Sequence, residues 1–140
     1  MDKDLLLSKI DSLSRSIKRI ENKTPENVKN LKNDYDLQDI IALNLQRAVQ
    51  ISVDIATHII ADSNEKVPST MAECFDSLEN LNIINKELSN NLKSAVGFRN
   101  ISVHEYQKID WEIVYSIINN NIDDFRQFSK NLVKKYDLLE

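Results

Sequence analysis

A single glycine, Gly97, and two prolines, Pro25 and Pro68, are all the backbone punctuation that 140 residues contain. Sheets need glycines at tight turns, and phosphate-cradling loops need several where the backbone approaches a ligand. The scarcity therefore excludes a dinucleotide-binding fingerprint and a P-loop, and it points to an all-α fold. One cysteine, Cys74, excludes an intramolecular disulfide and a zinc cluster and gives no sign of an oxidising compartment. Long hydrophobic runs are missing too. No stretch approaches the roughly 18 apolar residues of a membrane span, and the opening MDKDLLLSKIDSL sets acids, not a basic region, beside its short apolar run. These absences predict a soluble cytoplasmic protein with no membrane partner. Positive charge is also in deficit, 18 Lys and Arg against 22 Asp and Glu for a formal net charge of -4, which argues against nonspecific coating of nucleic acid. Residues 86–108 run the other way, with four basic and two acidic side chains for a net +2, so an anion-binding face is expected there.

What the chain has in quantity is helical period. Leu6, Ile10, Leu13, Ile17 and Ile20 follow at spacings of 4, 3, 4 and 3, which predicts a first helix over about 4–21. Thr24-Pro25-Glu26 has the form of a helix start, Thr as N-cap and Pro in the first turn, for a short connecting element. Residues 37–61 carry neither glycine nor proline and hold Ile40, Ile41, Leu45, Ala48, Val49, Ile55, Ala56, Ile59 and Ile60, the composition of a central helix. A polar loop then ends on an N-cap, Ser69 or Thr70, ahead of a third helix through Phe75, Leu78 and Leu81. After a break within 82–89, a fourth helix runs through Leu92, Ala95, Val96 and Phe98. Asp110 reads as the N-cap of one long last helix through Trp111, Val114, Ile118, Phe125, Phe128, Leu132 and Tyr136. The expectation is one domain, 1–140, an up-down bundle of four to five helices.

Two polar features interrupt this pattern. Arg47, Gln50, Asp54 and His58, spaced 3, 4 and 4 apart, share one face of the central helix. They read either as a solvent or interface stripe, with Asp54 and His58 a surface pair, or as a face on which Asp54 points into a cleft and orients another side chain. The second feature is Gly97-Phe98-Arg99-Asn100-Ile101-Ser102-Val103-His104-Glu105-Tyr106. With Arg99 at zero on a helical wheel of about 100° per residue, Asn100 falls near 100°, His104 near 140° and Tyr106 near -20°. Asn100, four residues before His104, could fix the imidazole tautomer. Arg99 and His104 diverge on a straight helix, so either Arg99 reaches across or the helix ends near His104. The structural alternative makes His104 a helix cap, pairs Arg99 with Glu105 or Asp110, and uses Tyr106 for packing. The two histidines lie 46 positions apart and the lone cysteine sits in neither feature, so no metal cage and no cofactor is expected.

Arg-x-x-x-x-His-x-Tyr with Asn after the Arg, late in a small helical chain, resembles the active-site motif of HEPN ribonucleases. The trailing Tyr resembles their HepT toxin branch. The preceding Gly-Phe and the Gln-Arg-Ala-Val-Gln and Asp-Ile-Ala-x-His runs of the central helix are similar to HepT-like sequences as well, so the likeness spans most of the chain. It implies a HEPN-type bundle and a metal-independent endoribonuclease acting as the toxin of a type VII-like toxin-antitoxin pair. Arg99 and His104 would be catalytic, with Asn100 and Asp54 supporting. It implies a homodimer with an RNA substrate, and a partner MntA-like nucleotidyltransferase antitoxin that silences the nuclease by placing AMP on Tyr106.

The residue types suit that chemistry. Attack of a 2′-hydroxyl on the adjacent phosphorus needs a group that moves protons near neutral pH and a cation for the growing phosphorane charge, and His and Arg supply these. One His and one Arg are too few for both acid and base, and a two-fold dimer brings two copies of the motif to one cleft. The rival reading is a non-catalytic HEPN module that only docks a nucleotidyltransferase.

Overall fold

The structure, a computed structural model, describes residues 2–138. Among these, seven α-helices and one 3-10 turn follow in chain order, with no strand. They are α1 (Lys3–Lys23), α2 (Val28–Asn33), α3 (Tyr35–Ala61), α4 (Met71–Asn80), α5 (Lys86–His104), the 3-10 turn (Tyr106–Lys108), α6 (Trp111–Asn120) and α7 (Asp123–Tyr136). The all-α expectation holds, but there are more helices than four to five. A short α2 precedes the central helix, and the predicted long last helix is two helices broken at Asn121 and Ile122.

Side-chain caps set the helix starts. Asp2, Asn27, Asp34, Thr70, Asn85 and Asp110 each accept a backbone N–H from the first turn of the helix they precede, satisfying donors that have no partner within the helix. Of the two N-caps proposed for the third helix, Thr70 is the one used, and Glu73 returns a bond to the Ser69 N–H at 2.9 Å. Thr24-Pro25 does not start a helix. Thr24 closes α1, its hydroxyl donating to the Ile20 carbonyl at 2.9 Å, and Asn27 takes the N-cap role for α2.

The central helix is α3, as its composition predicts, with Ile41, Ala42, Leu45, Ala48, Val49, Ile55 and Ala56 all buried. The start of α1 lies beside the end of α3, where Lys9 pairs with Asp54, so these two helices run antiparallel. On another face α5 also runs antiparallel to α3, as the pairings Gln50 to Arg99 and Gln46 to Ser102 require. Phe75 of α4 meets Phe128 of α7 edge to face at 6.2 Å in the core. Ion pairs tie the periphery: Lys32 to Glu112 across α2 and α6 at 2.7 Å, and Arg126 to Glu21 across α7 and α1. No helix among the described residues is long and apolar enough to cross a membrane.

Candidate active site where α5 ends

The α3 and α5 helices face each other through polar side chains at one end of an otherwise apolar contact. On α3, Gln46, Gln50 and Asp54 recur every four residues and line one side. Gln46 donates to Ser102 Oγ at 2.5 Å, and Ser102 is buried at 3% exposure. Gln50 uses both ends of its amide: Nε2 donates to Asp54 Oδ1 at 3.0 Å, and Oε1 accepts from Arg99 Nη2 at 3.3 Å. Lys9 from α1 approaches the other Asp54 oxygen at 3.6 Å. A relay Lys9–Asp54–Gln50–Arg99 thus runs across three helices and fixes one edge of the guanidinium.

At its other edge Arg99 Nη1 donates to Asn100 Oδ1 at 3.2 Å. Asn100 therefore supports the arginine and makes no hydrogen bond with His104, contrary to the tautomer-fixing role its spacing suggested. Nor does Arg99 pair with Glu105 or Asp110. His104 is the last residue of α5, exposed, and its side chain makes no hydrogen bond or ion pair with the described residues. Its imidazole is thus open to solvent and to a ligand.

The helix stops there because Glu105 leaves helical geometry at φ -143°, ψ 52°, while its N–H closes the last turn on the Ile101 carbonyl at 2.8 Å. The chain then tightens into the 3-10 turn, anchored by buried Ile109 and by Asp110, which caps α6. The helix thus ends at His104, one of the two arrangements the wheel allowed, and the residues after it need not follow the line of Arg99. It also corrects the wheel's placement of Tyr106, which lies in the 3-10 turn and not on the α5 line. Its hydroxyl donates to Asp39 Oδ1 on α3 at 2.5 Å, and its ring meets Trp111 edge to face at 6.0 Å. Burial first, then the hydrogen bond and charge of Asp39, push the Tyr106 phenol well above its ordinary range, so it stands as a neutral donor at physiological pH.

The stripe on α3 divides in two. Gln50 and Asp54 face α5 and α1, whereas Arg47 is exposed and its side chain makes no hydrogen bond or ion pair with the described residues. His58 is exposed near Leu5 and Lys9 of α1 and its N-cap Asp2, and Asp54 pairs with Lys9 and Gln50 instead of with it. Gln46, Ser102 and Asp39 were missed in the sequence. Gln46 lies four residues before Gln50, and Ser102 three after Arg99, so their spacings carried a signal for the shared face. Asp39 carried none, because its partner is 67 residues away. Next to this site, Phe98, Ile101, Ile109, Ile113, Ile117 and Phe125 help to line an apolar groove of about 460 Å³ between α5 and the α6–α7 segment. Among the described residues no three His, Cys, Asp or Glu side chains gather as metal ligands would.

A family model described as "Ribonuclease HepT-like" matches residues 13–132. The chain belongs to the HepT-like ribonuclease family. The mRNA nuclease HepT of Shewanella oneidensis is 38% identical over 125 residues, covering 89% of this chain and 93% of that protein. A solved structure of a tri-AMPylated Shewanella oneidensis HEPN toxin in complex with an MNT antitoxin superposes with a TM-score of 0.88 at 36% identity, over 96% of this chain and 99% of that one. A crystal structure of a toxin-antitoxin with AMP-PNP gives the same TM-score and identity over 94% and 98%. The seven-helix arrangement is therefore the HEPN toxin fold, and the HepT-like family is the one the Arg99-to-Tyr106 motif resembled.

Proposed function

We propose that this chain is the toxin of a toxin-antitoxin pair, an endoribonuclease that cuts RNA without a metal at Arg99 and His104. A partner nucleotidyltransferase silences it by transferring AMP to Tyr106. The observation that carries the reading is the end of α5: Arg99 is held from two sides, the His104 imidazole is open, and the chain turns at once into the segment bearing Tyr106. The relatives support it, being a nuclease and toxins solved with their antitoxins, one carrying AMP groups.

In this reading the Arg99 guanidinium faces the non-bridging phosphate oxygens and stabilises the charge that grows as the 2′-oxygen attacks phosphorus. Gln50 and Asn100 hold it in place, and Asp54 braces Gln50. A His104 imidazole takes the 2′-hydroxyl proton, and a second one gives a proton to the departing 5′-oxygen, leaving a 2′,3′-cyclic phosphate. Two imidazoles require two copies of the chain, so the working form is a homodimer. Ile101, Val103 and Ile113, at 42%, 44% and 57% exposure, supply apolar surface beside the motif for such a contact.

Purified protein incubated with total RNA, with and without EDTA, tests this beside Arg99→Ala and His104→Ala. Cleavage that survives the chelator and vanishes in both variants, with helicity retained, is the expected result. Cleavage by His104→Ala at the unaltered rate, or its loss on chelation, overturns the mechanism.

A further inference from the structure

The hydrogen bond from Tyr106 to Asp39 joins two elements that the nuclease reading leaves unrelated, and it sits on the oxygen atom that would take AMP. Tyr106 is the only residue of the 3-10 turn to reach α3 by a side-chain hydrogen bond, and it does so with one strong acceptor, a carboxylate oxygen 2.5 Å away. The ring is braced on its other side by Trp111, so the hydroxyl is aimed and still 37% of the residue is exposed for an incoming reagent. The groups facing the phenol are thus Asp39 from α3 and Trp111 from α6, while within its own segment Glu105 and Lys108 pair with each other at 3.4 Å.

A neutral phenol is a poor nucleophile, and phenolate is scarce at neutral pH because Tyr ionises near 10 even when unperturbed. Burial and the adjacent carboxylate make free phenolate scarcer still. Attack on a phosphoanhydride therefore requires that the proton leave as the new bond forms, and a base already hydrogen-bonded to that proton is best placed to receive it.

We infer that Asp39 is the catalytic base for modification of this chain's own Tyr106, so that the toxin supplies the base while its partner supplies the bound nucleotide. This rests on the reading that Tyr106 takes AMP. In the step, Tyr106 Oη forms a bond to the α-phosphorus of ATP, and the bond from that phosphorus to the bridging oxygen breaks with its electron pair leaving on pyrophosphate. The phenolic proton passes to Asp39 Oδ1 and from there to solvent. The products are AMP-tyrosine, pyrophosphate and one proton.

The test follows AMP addition to Tyr106 by intact mass and peptide digestion, using the cognate nucleotidyltransferase, ATP, and wild type, Asp39→Asn, Asp39→Glu and Tyr106→Phe chains. Asn keeps an accepting oxygen, and the position is exposed on α3, so fold and hydroxyl placement should persist, as circular dichroism and melting will verify. At pH 7 the turnover rate for Asp39→Asn is expected to fall by about 10²-fold or more while KM for the toxin stays near the wild-type value, with partial recovery in Asp39→Glu. Above neutrality the Asn rate should climb about tenfold per pH unit as hydroxide generates phenolate, and wild type should rise far less steeply. An Asn variant modified within about threefold of wild type, or slowed by the same factor at every pH, overturns the inference while leaving AMP transfer to Tyr106 intact. Wild type that takes no AMP on Tyr106 overturns both.

Discussion

Gln50→Ala is the substitution that asks most directly whether the relay across α1, α3 and α5 matters to chemistry. It removes the carbonyl that accepts from Arg99 Nη2 at 3.3 Å and leaves the Asn100 contact in place. A hydrogen bond to a charged group contributes about 1.5–3 kcal/mol at best, and a 3.3 Å contact at a partly exposed position falls at or below the low end of that range. The freed guanidinium must also be re-immobilised on each encounter with substrate, an entropic cost bounded by about 2 kcal/mol for a whole Arg side chain. Together these give a loss near 1 kcal/mol, roughly fivefold in kcat/KM. Deleting the cation itself in Arg99→Ala should cost about 10²–10³-fold. Single-turnover cleavage of a fluorescent RNA, with both variants matched for helicity and dimer content, separates the two. A Gln50→Ala rate within twofold of wild type would mean that Asn100 alone positions the arginine. A rate as low as that of Arg99→Ala would mean that Gln50 touches RNA itself. Either outcome refutes the positioning argument.

Phe128→Ala empties a fully buried site and ends the contact with Phe75, so thermal or urea unfolding should show a loss of about 3–5 kcal/mol, while Val67→Ala, at 84% exposure, should stay within about 0.5 kcal/mol. Tyr106 should be among the last tyrosines to ionise in a 295 nm titration, and Asp39→Asn should bring its step down. Because the folded phenol holds its proton more tightly than the unfolded one, its contribution to stability is complete below about pH 10 and is lost as pH rises through the folded value. The wild type should accordingly lose more stability on alkalinisation than the Asn variant, and equal slopes would contradict the link. Mixing wild-type chains with an excess of His104→Ala chains should suppress cleavage beyond simple dilution, because a mixed dimer keeps only one of the two imidazoles, and a monomer by light scattering that still cuts RNA would dismiss the shared site.

Local rules carried most of the helix pattern. Apolar spacing located α1 and α3, and cap chemistry located Asp110 and narrowed the start of α4 to Ser69 or Thr70, because each depends on residues within a turn or two of one another. The break between α6 and α7 escaped the same rule: Ile118, Ile122 and Phe125 keep spacings of 4 and 3 straight across it, so the apolar face continues although the backbone bonding tightens there to Asp124–Asn121 and Phe125–Ile122 turns. The site divides in the same way. The motif from Arg99 to Tyr106 was legible as a string, and the end of α5 at His104 was one of the two solutions its geometry allowed. Which groups meet it from α3 was half legible, since Gln50 and Asp54 were on the stripe. Gln46 and not Arg47 completes that face, because neighbouring side chains on a helix point about 100° apart and Gln46 is the one that meets Ser102 of α5. Asp39 lay beyond reach, since nothing near residue 39 records which segment the tertiary fold brings against it.

One property of α5 bears on more than where it places its side chains. From Gly97 to His104 the residues are Gly, Phe, Arg, Asn, Ile, Ser, Val and His, and only the arginine is a strong helix former. Relative to alanine this turn-and-more gives up about 4 kcal/mol of intrinsic helical preference, and Gly97, with nothing within 4 Å of where a Cβ would stand, contributes about a quarter of it without any steric need in this chain. The segment is helical because its neighbours hold it, through Phe98 and Ser102 on the inside and Arg99 on α3. Its amides should therefore exchange with deuterium well before those of the middle of α3, through openings that leave the rest of the molecule folded. The segment that carries Arg99 and His104 thus opens more readily than the middle of α3, and whatever presses on it, whether RNA, a second chain or a nucleotide on Tyr106, acts as a clamp on that local equilibrium.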